Sequence, residues 1–276
     1  MIRYISAATL LILSITLFGC ASTDEEWEPF PVACMNEPED SCSEGHLVVD
    51  GVQRTFILTQ TLSKSDTPGP IVLVWHGSGT NAEYIRRRFS LPSINGAGTI
   101  VVYPNGLPRP ELNYRTGWNR DPEGNDIRFF EELVSYLAER FGADQNKVFS
   151  VGHSRGGRFV DVLSCYRGSE HLALASISAG TRNVSECPGR APIWITHGRN
   201  DSYVSFRHGK DWIRRWSRTN ECGRANPGSY PNDLCTELPG CAVPVVWCPH
   251  TSEFEGGHGP PPFAEREIEE FFARFI

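Results

Sequence analysis

Three observations predict an α/β fold: a mostly parallel sheet with helices on both faces and antiparallel strands at its N-terminal edge. Short apolar runs recur at 71–75, 100–103, 148–151, 172–177, 193–196 and 243–247, with the length and β-branched content of strands buried on both faces. Helix-like stretches separate them, which is the alternation that builds a parallel sheet. Upstream, 46–58 reads as two extended runs around Asp50-Gly51, a dipeptide that favours a tight hairpin turn.

The helices have their own signals. One starts with Asn125 or Asp126 as cap and carries Ile127, Phe130, Val134, Leu137 and Phe141 on one stripe. The last follows Pro260-Pro261-Pro262 and places Ile268, Phe271, Phe272 and Phe275 at helical spacing. Another is expected over 205–216. The chain of 276 residues, 39% hydrophobic, is large enough to bury a sizeable core in one domain spanning 45–276. A net charge of −7 argues against a nucleic-acid partner, and the basic run Arg86-Arg87-Arg88 reads as a solvated helix face.

The N-terminus is read apart from the fold. Met1–Arg3 is a positive start, 5–18 an apolar core short for a membrane span, and Leu17-Phe18-Gly19-Cys20 closes it, so 1–19 reads as an export signal. Leu-x-Gly-Cys resembles the bacterial lipobox, which implies removal of 1–19, lipidation of Cys20 and a membrane partner reached through the lipid. Ala21 after the cysteine points to the outer membrane if the source is Gram-negative. Residues 20–44 then form the lipidated cysteine and its tether. The other reading is an ordinary secretory peptide cut near Ala21.

Setting Cys20 aside leaves eight of the nine cysteines, an even number in an oxidising compartment, so four disulfides are expected. Short loops favour Cys34–Cys42 and Cys235–Cys241, leaving Cys165–Cys187 and Cys222–Cys248. No C-x-x-C or H-E-x-x-H occurs, so neither a zinc site nor a cofactor is expected.

Chemistry centres on 148–159, V-F-S-V-G-H-S-R-G-G-R-F: an apolar β-branched run, a turn Gly152-His153-Ser154-Arg155-Gly156, then helix-compatible residues. A serine on a strained strand-to-helix turn needs neighbours without side chains two residues before and after it, and Gly152 and Gly156 meet that need. Its partners belong on loops at strand carboxyl ends. Past 193–196 comes His197-Gly198-Arg199-Asn200-Asp201, giving Asp201 as the acid that would orient an imidazole; its ordinary alternative is a turn cap. Asp211 is a poorer candidate because it lies within a predicted helix. Past the final strand, His258 sits between glycines and is the candidate general base, with His250 and then His208 as rivals. The loop His76-Gly77-Ser78-Gly79 suits an oxyanion hole, with donors from Ser78 and from the N–H of Arg155. Tyr114 and Trp118, in the Pro-rich stretch 106–124, either line an acyl pocket or pack under a long loop.

The order serine, aspartate, histidine is that of α/β hydrolases. Together W-H-G-S-G-T-N-A-E-Y (75–84), I-V-V-Y-P-N-G (100–106), A-D-Q-N-K-V-F-S-V-G-H-S-R-G-G (143–157), H-G-R-N-D (197–201) and G-G-H-G-P (256–260) resemble the secreted polyhydroxybutyrate depolymerase and feruloyl esterase family of that fold. The resemblance implies a serine esterase working through an acyl-enzyme, with Ser154 as nucleophile, Asp201 as acid and His258 as base. The implied substrates are hydroxyalkanoate, feruloyl or acetyl-sugar esters. It also implies a disulfide near the catalytic histidine, where Cys222 and Cys248 fall. Arg155 departs from relatives that carry a small or amide residue there, and the Gly-His-Gly-Pro-Pro loop departs from those with Trp before Pro. With the last core helix ending the chain and no appended binding module, soluble oligomers or small esters are expected rather than crystalline polymer. Two other readings stay open: a serine peptidase of the same fold, and a non-catalytic ligand-binding lipoprotein.

Overall fold

The computed structural model describes residues 40–61, 68–91, 98–180, 187–224, 226–227 and 230–276. The signal segment, Cys20 and Cys34 lie outside the described residues, and so does the tether up to residue 39.

The core is a nine-stranded sheet in the order β1-β2-β4-β3-β7-β8-β9-β11-β10. Its N-terminal edge is the hairpin β1 (Asp40–Val49) and β2 (Val52–Thr61). Asp50 (φ 51°) and Gly51 (φ 76°) are both left-handed, the conformation a two-residue hairpin turn needs to match strand twist. Pairing extends from Val49↔Val52 out to Asp40↔Thr61. The hairpin thus reaches back to Asp40, into the stretch expected to be tether, because each added residue finds a partner across it.

Six strands form the parallel part: β3 (Ile71–Trp75), β4 (Ile100–Pro104), β7 (Val148–His153), β8 (Ala173–Ile177), β9 (Ile193–Gly198) and β11 (Val245–His250). Every residue of these strands is buried. Alternation then sorts side chains between two cores. Ile71, Leu73 and Trp75 face one core; Val72 and Val74 face the other.

The first core is covered by α2 (Asn125–Phe141), α3 (Arg155–Tyr166) and α4 (Phe206–Thr219), through residues such as Phe130, Phe159 and Trp212. The second is covered by α1 (Ala82–Arg88) and α5 (Ala264–Ala273), with Ile85, Ile268 and Phe272. A short hairpin, β5 (Leu107–Pro108) and β6 (Thr116–Gly117), stands off the main sheet around a 3₁₀ turn at Pro110–Leu112. The far edge is β10 (Thr236–Glu237), antiparallel to β11.

That register corrects the disulfide pairing. Thr236 lies opposite Trp247, which places Cys235 beside Cys248, and the two are bonded. Cys241 turns back to the end of α4, where Ala242 N–H donates to Asn220 O at 2.8 Å, and bonds Cys222. Cys235–Cys241 and Cys222–Cys248 are thus not formed: strand pairing outweighs the preference for the shortest loop. Cys165–Cys187 forms as expected. Cys42 is disulfide-bonded.

Asp126 is likewise not a helix cap; Gly124 occupies that position. Asp126 is 1% exposed and accepts from Arg54 Nη2 at 2.8 Å, from Arg109 and from the Asn119 N–H. Arg54 is also 1% exposed and lies 4.0 Å above the Phe129 ring. One buried carboxylate thus ties β2, the β5–β6 hairpin and α2 together. Removing it strands two guanidinium groups in a low-dielectric interior, so Asp126→Ala should cost about 3–5 kcal/mol in urea unfolding. A loss below about 1 kcal/mol, the range of an exposed ion pair, would contradict this account.

Candidate active site

The turn between β7 and α3 carries Ser154 at φ 54°, ψ −111°, which a residue with a side chain adopts only under constraint. The constraint is steric and hydrogen-bonded. Ser154 N–H donates to Ile177 O at 2.9 Å, holding the turn on β8. A methyl group on Gly152 would lie 2.3 Å from Gly156 O, and one on Gly156 would lie 2.0 Å from Trp75 O. Both glycines are therefore required by close backbone approach, as the sequence reading expected.

Beyond the end of β9, Asp201 meets His258. The His258 Nδ1–H donates to Asp201 Oδ2 at 2.8 Å, which leaves Nε2 free to act as base. Asp201 Oδ1 accepts the N–H groups of Tyr203 and Val204, both at 2.8 Å. His197 stands on the other side, Nε2 2.7 Å from Val204 O and 3.3 Å from Asp201 Oδ2. Burial disfavours the Asp201 charge, but hydrogen bonds from His197, His258 and Val204 outweigh it and hold the carboxyl well below the usual carboxylate range.

His258 is brought to the nucleophile through its neighbour in sequence. His153, the residue before Ser154, donates its Nε2–H to His258 O at 2.8 Å, and the two imidazole rings lie 5.0 Å apart. Among the described residues Ser154 Oγ itself makes no hydrogen bond; such contacts commonly tighten only when substrate binds. The loop carrying His258 is fastened twice. Gly256 O accepts the Ser202 N–H at 3.0 Å, and Glu255 accepts the Tyr84 hydroxyl at 2.7 Å and pairs with Arg88. The run Arg86-Arg87-Arg88 is thus only partly a solvated face, because Arg88 reaches across to the histidine loop.

After β3, Gly77 packs against the nucleophile: a methyl group on it would lie 3.4 Å from Ser154 Cβ. Gly79 N–H donates to Thr116 O and Thr80 N–H to Gly77 O, whereas the N–H groups of Gly77 and Ser78 have no backbone acceptor among the described residues. The Arg155 N–H, in the first turn of α3, has none within the helix. Arg155 directly follows Ser154 in the chain, and on the facing loop the contact with Ser154 is made at Gly77, one residue before the expected Ser78.

The rest of the expected site divides. Trp118 is fully buried, stacked on Phe159 and edge-on to Trp75, with Nε1–H donating to His76 O at 2.9 Å; it packs in the core under the loop. Tyr114 is 74% exposed on the hairpin. His250 is buried in β11 and its ring meets Phe263, so it is not placed as a base. Sequence reading missed Tyr203, whose exposed ring lies 5.2 Å from His258, and the supporting roles of His153 and His197. Only the apolar setting of those histidines hinted at burial.

The fold and this site define a serine hydrolase of the α/β-hydrolase class. No family model matches the chain. Feruloyl esterase D of Neurospora crassa is 29% identical over 76% of this chain and 78% of its own length. Feruloyl esterase C of Emericella nidulans is 27% identical over 69% of each. Among solved structures, an acetyl xylan esterase from Aspergillus awamori superposes with a TM-score of 0.63 at 13% identity, covering 84% of this chain and 99% of that one. The chain is a carboxylic-ester hydrolase with the α/β-hydrolase fold, and over most of its length it is similar to feruloyl esterases.

Four histidines of the domain are held neutral. Burial pulls His76, His153, His171 and His250 each down to about 4. His76 Nε2 accepts from Gly106 N–H at 2.9 Å and His171 Nε2 meets the Ser150 hydroxyl at 3.1 Å, acceptor roles that a proton would abolish. In the unfolded chain imidazoles protonate near pH 6.5, so between about 6.5 and 4 the unfolded state binds more protons and stability falls as pH falls. Each should contribute on the order of 1–2 kcal/mol of loss at pH 5. Asp201, whose depressed pKa favours its charged form, loses its share only as pH falls through and below the ordinary carboxylate range. Urea midpoints stepped from pH 7.5 to 4.5 should fall steeply; a flat profile would contradict neutral burial.

Proposed function

We propose that the protein hydrolyses feruloyl or related acyl esters of saccharides through an acyl-enzyme on Ser154, as an exported protein held at a membrane by lipid on Cys20. The observation that carries the catalytic reading is the Asp201–His258 pair, bonded at 2.8 Å and tied to the strained elbow through His153.

His258 Nε2 takes the Ser154 proton as Oγ attacks the ester carbonyl, and the N–H groups at Gly77 or Ser78 and at Arg155 receive the oxyanion. The protonated imidazole, stabilised by Asp201, then gives its proton to the leaving alcohol. Water repeats the sequence on the acyl-enzyme and releases the acid. The names of the sequence relatives support an aromatic acyl group, and the exposed Tyr203, 5.2 Å from His258, supplies a flat ring at the site. Hydroxyalkanoate esters, expected from the sequence, are the comparison substrate. Export is supported by disulfides within the domain, and anchoring by the Leu17–Cys20 motif.

The test sets the non-lipidated domain, produced under oxidising conditions, beside Ser154→Ala on methyl ferulate and a short 3-hydroxybutyrate oligomer. The parent should turn over methyl ferulate the faster, and the variant should lose roughly 10³-fold or more in kcat. No turnover by a folded parent, or equal turnover by the variant, would overturn the mechanism; preference for the hydroxybutyrate oligomer would overturn the substrate.

A further inference from the structure

One large aromatic side chain stands in solvent beside the general base. Tyr203 is 77% exposed, and its ring lies 5.2 Å from His258 at an interplanar angle of 41°, its one ring contact among the described residues. The backbone that carries it is fixed on both sides. Ser202 N–H donates to Gly256 O at 3.0 Å, and the N–H groups of Tyr203 and Val204 both donate to Asp201 Oδ1 at 2.8 Å. Val204 is buried, and its carbonyl accepts from His197 Nε2 at 2.7 Å. The residue that carries the ring is therefore held by the same hydrogen bonds that hold the candidate acid.

Packing gives no reason for the ring's position. Its hydroxyl makes no hydrogen bond among the described residues, and most of its surface faces solvent. An isolated exposed aromatic is ordinary on a protein surface, but this one is tied through its backbone to the acid and base of the site. Phe254, the other exposed aromatic of the histidine loop, is already engaged: its ring abuts Gly259, where an added methyl group would lie 2.3 Å from Phe254 Cδ1, and the Arg88 guanidinium lies 5.6 Å above it. What Tyr203 faces follows from the chemistry. His258 Nε2 takes the proton of Ser154 and then hands it to the leaving oxygen, so in the tetrahedral intermediate the alcohol part lies on the histidine side of the reacting carbon. The acyl part leaves that carbon in another direction. A ring 5.2 Å from the His258 imidazole is therefore beside the alcohol.

We propose that Tyr203 is the platform for the alcohol part of the ester, stacking on a saccharide ring and so selecting sugar esters over simple alkyl esters. The inference rests on the ester-hydrolase reading above and assigns the alcohol side of that site. The face of an aromatic ring carries partial negative charge and the C–H groups of a sugar ring partial positive charge, so the two stack while the sugar hydroxyls stay in water. Tyrosine suits this role because it offers a wide contact area with few side-chain torsions to fix. The contact is made in the ground state and the transition state alike, so it acts through KM. Being remote from the acyl group, it discriminates among alcohols and not among acyl chains.

Three esters separate the two sides of the site: 6-O-feruloyl-D-glucose and methyl ferulate share an acyl group, while methyl ferulate and methyl acetate share an alcohol. The parent should favour the glucose ester over methyl ferulate by about fivefold or more in kcat/KM, carried by KM. Tyr203→Leu, which keeps an apolar side chain and the backbone N–H bonded to Asp201, should remove that preference, and Tyr203→Phe should retain most of it. A parent without the preference, or a preference that survives in Tyr203→Leu, would overturn the platform. A fall in the ratio of methyl ferulate to methyl acetate in Tyr203→Leu, with the glucose preference intact, would put the ring on the acyl side and overturn it equally. Calorimetry on Ser154→Ala reads the contact without turnover: the glucose ester should bind more tightly than methyl ferulate, and adding Tyr203→Leu should abolish the difference. A parent inactive on all three esters would sink the hydrolase reading alone, whereas equal binding of the two feruloyl esters to Ser154→Ala, or binding of neither, would sink the platform.

Discussion

The structure depends on a single strained turn. Ser154 is held at φ 54° between a strand and a helix because backbone from three directions closes on it: Ile177 O takes its N–H, Gly152 packs on Gly156 O, and Gly156 packs on Trp75 O. Strain at one residue persists only where its surroundings over-determine it. That is why β3, β7 and β8 lie side by side at the centre of the sheet, where two apolar cores fix their relative positions. The elbow is a consequence of sheet packing before it is a chemical device.

Around the elbow, polar groups are placed by a few buried contacts instead of by the loops' own preferences. Glu255 and Gly256 are left-handed, at φ 50° and 66°, a backbone that the glycine-rich sequence permits but does not select. What selects it is the Arg88 and Tyr84 contact to Glu255, the Ser202 bond to Gly256 O and the His153 bond to His258 O. On the opposite side Asp126 does the same for the hairpin carrying Arg109 and Arg115. The candidate catalytic groups thus sit on loops whose freedom has been removed by residues far away in the chain.

This division explains what could be read in the sequence. The parallel strands, the Asp50-Gly51 turn, the elbow glycines and the positions of Asp201 and His258 were legible because each is a local pattern or lies at the end of a strand with a clear pattern. The disulfides were not, because Cys235 finds Cys248 through strand register and no loop length reports that. Nor was Asp126, whose position at a helix start looks like a cap until Arg54 and Arg109 are seen to converge on it. Trp118 was evenly poised between pocket and core, and only the T-shaped contact with Trp75 and the bond to His76 O decide for the core.

The central claim is that Ser154, His258 and Asp201 act as one unit. The most direct measurement is labelling by a fluorophosphonate, a phosphorylating probe of activated serines, followed by peptide mass analysis in the parent and in Asp201→Asn. The account predicts one adduct, on Ser154, with a rate that falls by about 10³-fold or more when the carboxylate that fixes the His258 tautomer is lost. Labelling elsewhere, or at an unchanged rate in Asp201→Asn, would contradict it.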